Sequence, residues 1–361
     1  VDLSKNLGIP EIRNQINGSL ATFVQIENQY LRAIGPELNA VADALERFLL
    51  DSGKRLRPIF AYVGFLGTGT SPNSELVAAV SSLELIHVCA LMHDDVMDAS
   101  DTRRGAPSIH KAFEARHLKE GLTGSAVQFG LSSAILLGDL ALIWASKMLH
   151  QSGIKSADLI RALPVYDEMR VELMAGQYLD VYEQALATQS VERAMRVARY
   201  KSAKYTIERP MHFGAQLGSV TSKNIESLNA KYSDYGLPLG EAFQLRDDVL
   251  GVFGDPIETG KPAGDDLREG KRTVLMAATI ERATDSAKLK IEKLFADPDL
   301  DEDGVAILRS IIVESGALNQ LEDLIESLTI AALTATRSEL IDPIAQTLLH
   351  ELVAVAIARR V

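Results

Sequence analysis

Leu91-Met92-His93-Asp94-Asp95-Val96-Met97-Asp98-Ala99-Ser100-Asp101-Thr102-Arg103-Arg104-Gly105 closes a long apolar run, Leu83 to Leu91, that reads as buried helix. Asp94 and Asp98 are four residues apart, so on a helix they lie one turn above the other on one face. Like charges at that spacing destabilise a helix unless a cation sits between them. Hard oxygen ligands with open positions suit Mg²⁺ bridging to a phosphate. Arg103 and Arg104 are either salt-bridge partners of these carboxylates or receivers of a metal-held phosphate. The bland alternative is a solvated acidic helix end with neutralising arginines.

A second stretch, Phe243-Gln244-Leu245-Arg246-Asp247-Asp248-Val249-Leu250-Gly251, repeats the pattern at the end of another apolar helix, Asn224 to Val252. Two distant helices thus each deliver adjacent aspartates at an apolar end. Facing each other, they form an acidic mouth over an apolar interior. The stretch beyond adds Lys261, Asp265-Asp266 and Gly270-Lys271-Arg272-Thr273.

The chain of 361 residues is 47% hydrophobic, enough for a large core and unlike a disordered chain. A net charge of −12 argues against a nucleic-acid surface and against general attraction to anionic membranes. A diphosphate ligand then needs a local basic pocket. The single cysteine, Cys89, excludes an intrachain disulfide and fits a reducing, cytoplasmic location. No signal peptide and no apolar run long enough to span a bilayer are expected, hence no stable membrane insertion.

Helical spacing runs through Ile12 to Ile34, Glu37 to Leu50, Pro58 to Phe65, Asn73 to Asp98, Ser125 to Leu149 and Ser156 to Leu186. Val191 to Gly218 is read as a helix kinked or broken by Pro210. Asp139, embedded in an apolar helix, needs a partner. Thr273 to Arg360 reads as several further helices. No stretch alternates with strand period. The fold class is all-α, one domain over residues 1–361.

Before the Pro58 helix, Gly53-Lys54-Arg55-Leu56-Arg57-Pro58 places three cations in a short loop. Lys54 and Arg57 can face the same way, and the helix start adds unsatisfied amides, so the loop is either an anion site or a solvated basic turn. His87 lies two turns before Asp95 and is either a satisfied core histidine or a cavity residue. Gln177 and Asp180 can share a face, as a surface pair or as support for a metal site.

Taken in order, Gly53-Lys54-Arg55-Leu56-Arg57-Pro58, Asp94-Asp95-Val96-Met97-Asp98 with Arg103-Arg104, Gly176-Gln177 with Asp180, Lys201-Ser202, and Phe243-Gln244-Leu245-Arg246-Asp247-Asp248 with Lys261 and Lys271 resemble the trans-prenyl diphosphate synthases, the polyprenyl synthetase family. The wording around Tyr205-Thr206-Ile207-Glu208-Arg209-Pro210 and Gly260-Lys261-Pro262-Ala263-Gly264-Asp265-Asp266-Leu267 is similar to actinobacterial geranylgeranyl diphosphate synthases. The resemblance implies an isoprenoid-synthase-type helical bundle around a central apolar cavity, and a homodimer. It implies that Asp94, Asp98 and Asp247 bind Mg²⁺, supported by Asp95 and Asp248. Arg103, Lys201, Lys261 and Lys271 contact the allylic diphosphate, while Lys54, Arg57, His87 and Arg104 hold isopentenyl diphosphate. Gln244 and the Lys201-Ser202 backbone face the developing cation. Gly251 stands where a fuller motif carries a third aspartate, with Asp255 as a possible substitute.

A terpene cyclase leaves the Lys54-Arg57 loop and His87 unexplained. A metal phosphohydrolase leaves the second Asp-Asp pair idle. A non-catalytic partner subunit predicts degraded aspartate motifs. Product length is read from the helix before Asp94. Residues four and five earlier, Ala90 and Cys89, lie about 6 to 7.5 Å below it and are small, leaving the cavity floor open. Ile86, one turn further, and Met174 on another helix then limit the product near geranylgeranyl diphosphate.

Overall fold

The computed structural model describes residues 7–51, 53–187, 189–218, 222–255, 264–297 and 299–357. Its helices start where the sequence offers side-chain acceptors. Asn73 caps α4 (Ser74–Met97) by accepting from the Leu76 amide at 2.9 Å, and Ser125 caps α6 (Ala126–His150) through the Gln128 amide at 3.2 Å. The chain divides into two compact units, residues 1–164 with 210–225, and residues 165–209 with 226–361.

The first unit holds α1 (Ile9–Ile34), α2 (Asn39–Leu50), α3 (Leu56–Leu66), α4, α5 (Ile109–Glu120), α6 and the residues of α9 (Arg209–Leu217) from Pro210 onward. A short 3₁₀ turn, Pro36–Leu38, precedes α2. Helix α4 is apolar on nearly every face, with Leu76, Val80, Leu83, Ile86, Cys89 and Met92 at 0% exposure. Against α3, helix α9 crosses at backbone contact: a side chain at Gly64 would strike the Met211 carbonyl, and one at Gly214 the Ala61 carbonyl. Between α4 and α5 the chain forms a minimal antiparallel ladder, Thr102↔Pro107 and Arg103↔Ala106, with Arg104 (φ 55°) and Gly105 (φ 75°) left-handed at its tip.

The second unit contains most of α7 (Ser156–Ala185), α8 (Val191–Val197), and α10 (Ser222–Phe253) from Glu226. Helices Val274–Arg282, Asp285–Leu294, Glu302–Glu314, Ala317–Ala335 and Pro343–Ile357 complete it. Its core joins Leu245, Val249 and Val252 of α10 to Leu275, Leu308, Ile312 and Leu321. The helix expected over Val191 to Gly218 is regular only to Val197, and Ala198–Glu208 winds as a π-helix. Pro210 lacks the amide that an α-helix would bond to Thr206 and its ring crowds that carbonyl; the wider winding absorbs both.

One expectation is corrected. Both α4 and α6 are long and apolar enough to cross a membrane by length and composition. Their burial separates them: 72% of the apolar window of α4 is buried, but only 28% of that of α6. Helix α6 exposes Val127, Ile135, Leu136 and Ile143, each between 46% and 65%.

Candidate active site

In the first unit, Asp94 and Asp98 occupy the last turn of α4, where the Asp98 amide bonds the Asp94 carbonyl at 2.8 Å. A helix C-terminus repels carboxylates through its own dipole. Arg103 supplies the compensation. Its Nε donates to Asp95 Oδ1 at 2.8 Å, its Nη2 also bonds Asp95, and Nη2 lies 3.7 Å from Asp94 Oδ2. Burial opposes the Arg103 charge, but Asp95, Asp94 and Asp98 outweigh it and hold its pKa above the ordinary value. Asp95 is fully buried within this clamp, while Asp94 keeps 16% of its side-chain surface. Of the two readings of Arg103, salt-bridge partner or phosphate ligand, the structure contains the first, an ion pair with Asp95 that reaches Asp94.

Near His87 the arginines gather. Burial first, then the charges of Arg57, Arg104, Arg103 and Arg55, lower the His87 pKa well below 6.5, so its ring is neutral. Arg104 donates to the Phe48 and Asp51 carbonyls at 3.3 and 3.5 Å and lies over the Phe48 ring at 5.6 Å. Lys54 is exposed and Arg57 half-buried, but Arg55 turns inward. The three cations of the loop are therefore not equivalent.

Down α4, the Cys89 thiol lies 3.8 Å from His93 Nδ1, and burial, with a contribution from Asp139, pushes it up to about 12. His93 Nε2 meets the Ile135 carbonyl at 3.0 Å and Asp139 Oδ1 at 3.8 Å. Asp139 is 56% exposed, so the apolar surroundings expected from the sequence, and with them the need for a partner, do not hold. A Cβ at Gly138 would collide with the His93 ring, so the glycine makes room for it. Cys89 thus points to the α6 side of α4. Ala90, four before Asp94, shares the aspartate face, and Ile86 is fully buried.

In the second unit the π-helix carries Lys201 and Ser202. Lys201 Nζ bonds Asp180 Oδ2 at 2.6 Å, so Asp180 supports a lysine. Ser202 Oγ donates to Gln244 Oε1, and Gln244 Nε2 donates to Asp248 Oδ1 at 2.8 Å. This chain links the π-helix to the second aspartate cluster. Burial, then Asp266 and Asp247, push the Asp248 carboxyl up to about 8, against the lowering effect of the Gln244 bond. Lys271 Nζ lies 2.9 Å from Glu269 Oε2 and 3.6 Å from Asp266 Oδ1. Lys261 lies outside the described residues.

Asp266 is the residue that sequence reasoning missed. Its carboxylate occupies the place where a Cβ at Gly251 would stand. The glycine that interrupts the second motif is thus the opening that seats Asp266 beside Asp248. The signal was present as an unexplained glycine, but its occupant comes from 15 residues along the chain.

These residues fit Mg²⁺. Among the described residues no group of three or more His, Cys, Asp or Glu side chains can hold a metal ion by itself. Mg²⁺ is characteristically held by one or two carboxylates, with waters and substrate phosphates completing its shell. Asp94 with Asp98, and Asp247 beside Asp248, are donor sets of that kind.

Two outcomes follow from the second cluster. Gly251→Asp, which restores the fuller motif, displaces Asp266 and lowers Mg²⁺ affinity instead of raising it; Mg²⁺ titration of the thermal midpoint checks the direction. Asp248 retains its proton more strongly folded than unfolded. Its stabilising contribution is complete below the ordinary pKa of 3.8 and is lost as pH rises through about 8. Chemical denaturation without Mg²⁺ should show this decline between those limits, and Asp248→Asn should flatten it.

The comparisons agree with this geometry. A crystal structure of geranylgeranyl pyrophosphate synthase from Corynebacterium glutamicum, complexed with isoprenyl diphosphate and magnesium, superposes with a TM-score of 0.92. It is 38% identical, over 98% of this chain and 100% of that one. Geranylfarnesyl diphosphate synthase of Aeropyrum pernix is 32% identical over 75% of this chain and 78% of its own. Geranylgeranyl diphosphate synthase of Sulfolobus acidocaldarius is 27% identical over 84% and 82%. The polyprenyl synthetase family model matches residues 39–338. With both aspartate clusters inside that span, the chain belongs to the polyprenyl synthetase family.

Proposed function

We propose that the protein is a trans-prenyltransferase that condenses isopentenyl diphosphate with an allylic diphosphate and releases geranylgeranyl diphosphate. The observation that carries this reading is the separation of chemistry in the first unit. One helix, α4, carries both His87, with Arg57 and Arg104 of neighbouring segments near it, and the carboxylate pair Asp94 and Asp98 at its end. One suits a bare diphosphate; the other suits a metal-bound one. A terpene cyclase needs only the second.

Lys54, Arg57, His87 and Arg104 bind isopentenyl diphosphate. Asp94, Asp98 and Asp247 hold Mg²⁺, with Asp95 and Asp248 behind them. Magnesium, when bound, neutralises the allylic diphosphate as a leaving group. Arg103 fixes the carboxylates of α4 through Asp95. Lys201, held by Asp180, faces the diphosphate together with Lys271 and Lys261. The carbon–oxygen bond of the allylic substrate breaks, and the alkene of isopentenyl diphosphate forms the new carbon–carbon bond. A proton leaves to the departing diphosphate. The carbonyl oxygens of Gln244 and of the Lys201-Ser202 backbone stabilise the transient cation. All of residues 1–361 serve this one catalytic domain, located in the cytoplasm, where a lone buried thiol stays reduced.

Incubation with Mg²⁺, isopentenyl diphosphate and an allylic diphosphate, followed by product chromatography, tests the reading. Asp94→Ala and Asp247→Ala should each lower turnover by about a hundredfold or more, with the helical circular dichroism retained. Turnover near the wild-type value in either variant defeats the assignment.

Product length rests on the aspartate-facing side of α4. Ala90→Phe closes the floor beneath Asp94 and shifts the product toward farnesyl diphosphate. Cys89→Phe, pointing to His93, tests whether the α6 side also bounds the cavity. An unchanged product from active variants of both rules out a floor on α4.

A second copy of the chain covers the exposed apolar face of α6. Light scattering should give a dimer at micromolar concentration, and Ile143→Asp should shift it toward monomer.

A further inference from the structure

Arg55 sits in the middle of the basic loop, yet its side chain is 2% exposed. Its guanidinium bonds three separate elements. Nη1 donates to Glu84 Oε1 on α4 at 2.7 Å, Nη2 to the Leu49 carbonyl of α2 at 2.7 Å, and Nε to Asn17 Oδ1 of α1 at 2.9 Å. Glu84 is equally buried, with 3% of its side chain exposed. This is a fully desolvated pair, costly to form and more costly to leave half-made.

The backbone is bent to make it. Arg55 takes a left-handed conformation, φ 53°, unfavourable for a residue with a Cβ. Gly53 sits at φ 154°, and a Cβ there would lie 2.9 Å from Arg55 Nη1 and 3.5 Å from Glu84 Oε1. The glycine is therefore fitted to the ion pair. Arg55 also opens α3, its carbonyl accepting from the Ile59 amide at 3.0 Å. Strain of this kind persists only where the surroundings over-determine it.

The consequence falls on its neighbours. Lys54 precedes Arg55, and Arg57 follows within the first turn of α3. His87 is one turn along α4 from Glu84, so the pair pins the loop to the helix that carries His87. The same last turn of α2 that accepts Arg55 at Leu49 accepts Arg104 at Phe48. All four side chains proposed to bind isopentenyl diphosphate are thus referred to one buried strut.

We propose that the Arg55–Glu84 pair is the positioning device of the isopentenyl diphosphate site, holding Lys54, Arg57 and Arg104 in register with His87 without touching the ligand. The proposal rests on the function given above. It assigns Gly53 and Arg55 to the strut, and Lys54 and Arg57 to the ligand.

The test separates the two substrates. In Arg55→Lys, which keeps the charge but loses the three-way fork, the KM for isopentenyl diphosphate should rise by about tenfold, the scale of one charge-assisted hydrogen bond. The KM for the allylic diphosphate and kcat should stay within about twofold, since the strut touches neither cluster of aspartates. Glu84→Gln should act in the same direction. In the double variant the increments should fail to add, because the two residues act as one unit. Glu84→Gln, the isosteric change, carries the test if Arg55→Lys does not fold. A lowered melting temperature with the isopentenyl diphosphate KM unchanged overturns the proposal, as does an equal rise in both KM values. The wild-type assay is read first. A wild-type chain that does not condense the two substrates defeats the proposed function and this inference with it. Normal condensation with an unmoved KM in the variants defeats the inference alone.

Discussion

A carboxylate at the end of a buried helix has to be compensated, and much of the first unit answers that requirement. Helix α4 is apolar on nearly every face and ends in Asp94, Asp95 and Asp98. The dipole of the helix and the burial of Asp95 both oppose those charges. Arg103 meets the deficit, and the two-residue ladder between α4 and α5 is what brings it back over the helix end. Asp95, fully buried, is held through its Oδ1 by Arg103. Asp94 and Asp98 are only partly buried. A structural ion pair thus sorts three neighbouring aspartates into a fixed one and two presented ones.

The same logic recurs twice. In the basic loop, three cations are sorted by backbone conformation into one strut and two presented groups. In the second unit, Ser202, Gln244 and Asp248 form a hydrogen-bonded chain that leaves Asp247 half-buried beside them. In each case a buried polar contact fixes one residue and thereby the placement of its neighbours. The π-helix belongs to this pattern. Side chains at Gly176 and Gly240 would strike the backbone of Lys201 and Ala203, so the segment is held at backbone distance from α7 and from α10.

Much of this was legible in the residues. Apolar runs gave the helices, and the ranges beginning at Asn73 and Ser125 start within a residue of α4 and α6. Two Asp-Asp pairs at apolar helix ends gave the chemistry. What was hidden depended on partners distant in sequence or on backbone sign. Lys54, Arg55 and Arg57 are one kind of residue in one loop, and only the left-handed turn at Arg55 separates them. The place of Asp266 over Gly251 and the pairing of His93 with Asp139 join residues that no local period connects. The π winding of Ala198–Glu208 leaves no clear mark, since its bonding differs from an α-helix by one residue per turn.

The first unit is discontinuous in the chain, and this shapes its birth on the ribosome. Helices α3 and α4 are complete by Met97, yet the α9 segment that packs at backbone contact against α3 is not synthesised until after residue 209. A highly apolar 24-residue helix therefore emerges long before its unit can close. At about 5–20 residues per second that interval lasts several seconds or more. Unit 1 is thus a late-closing structure, since α3 waits for α9. The backbone-distance contact of α9 with α3 thus forms only after α4 has met its own main partner, α6.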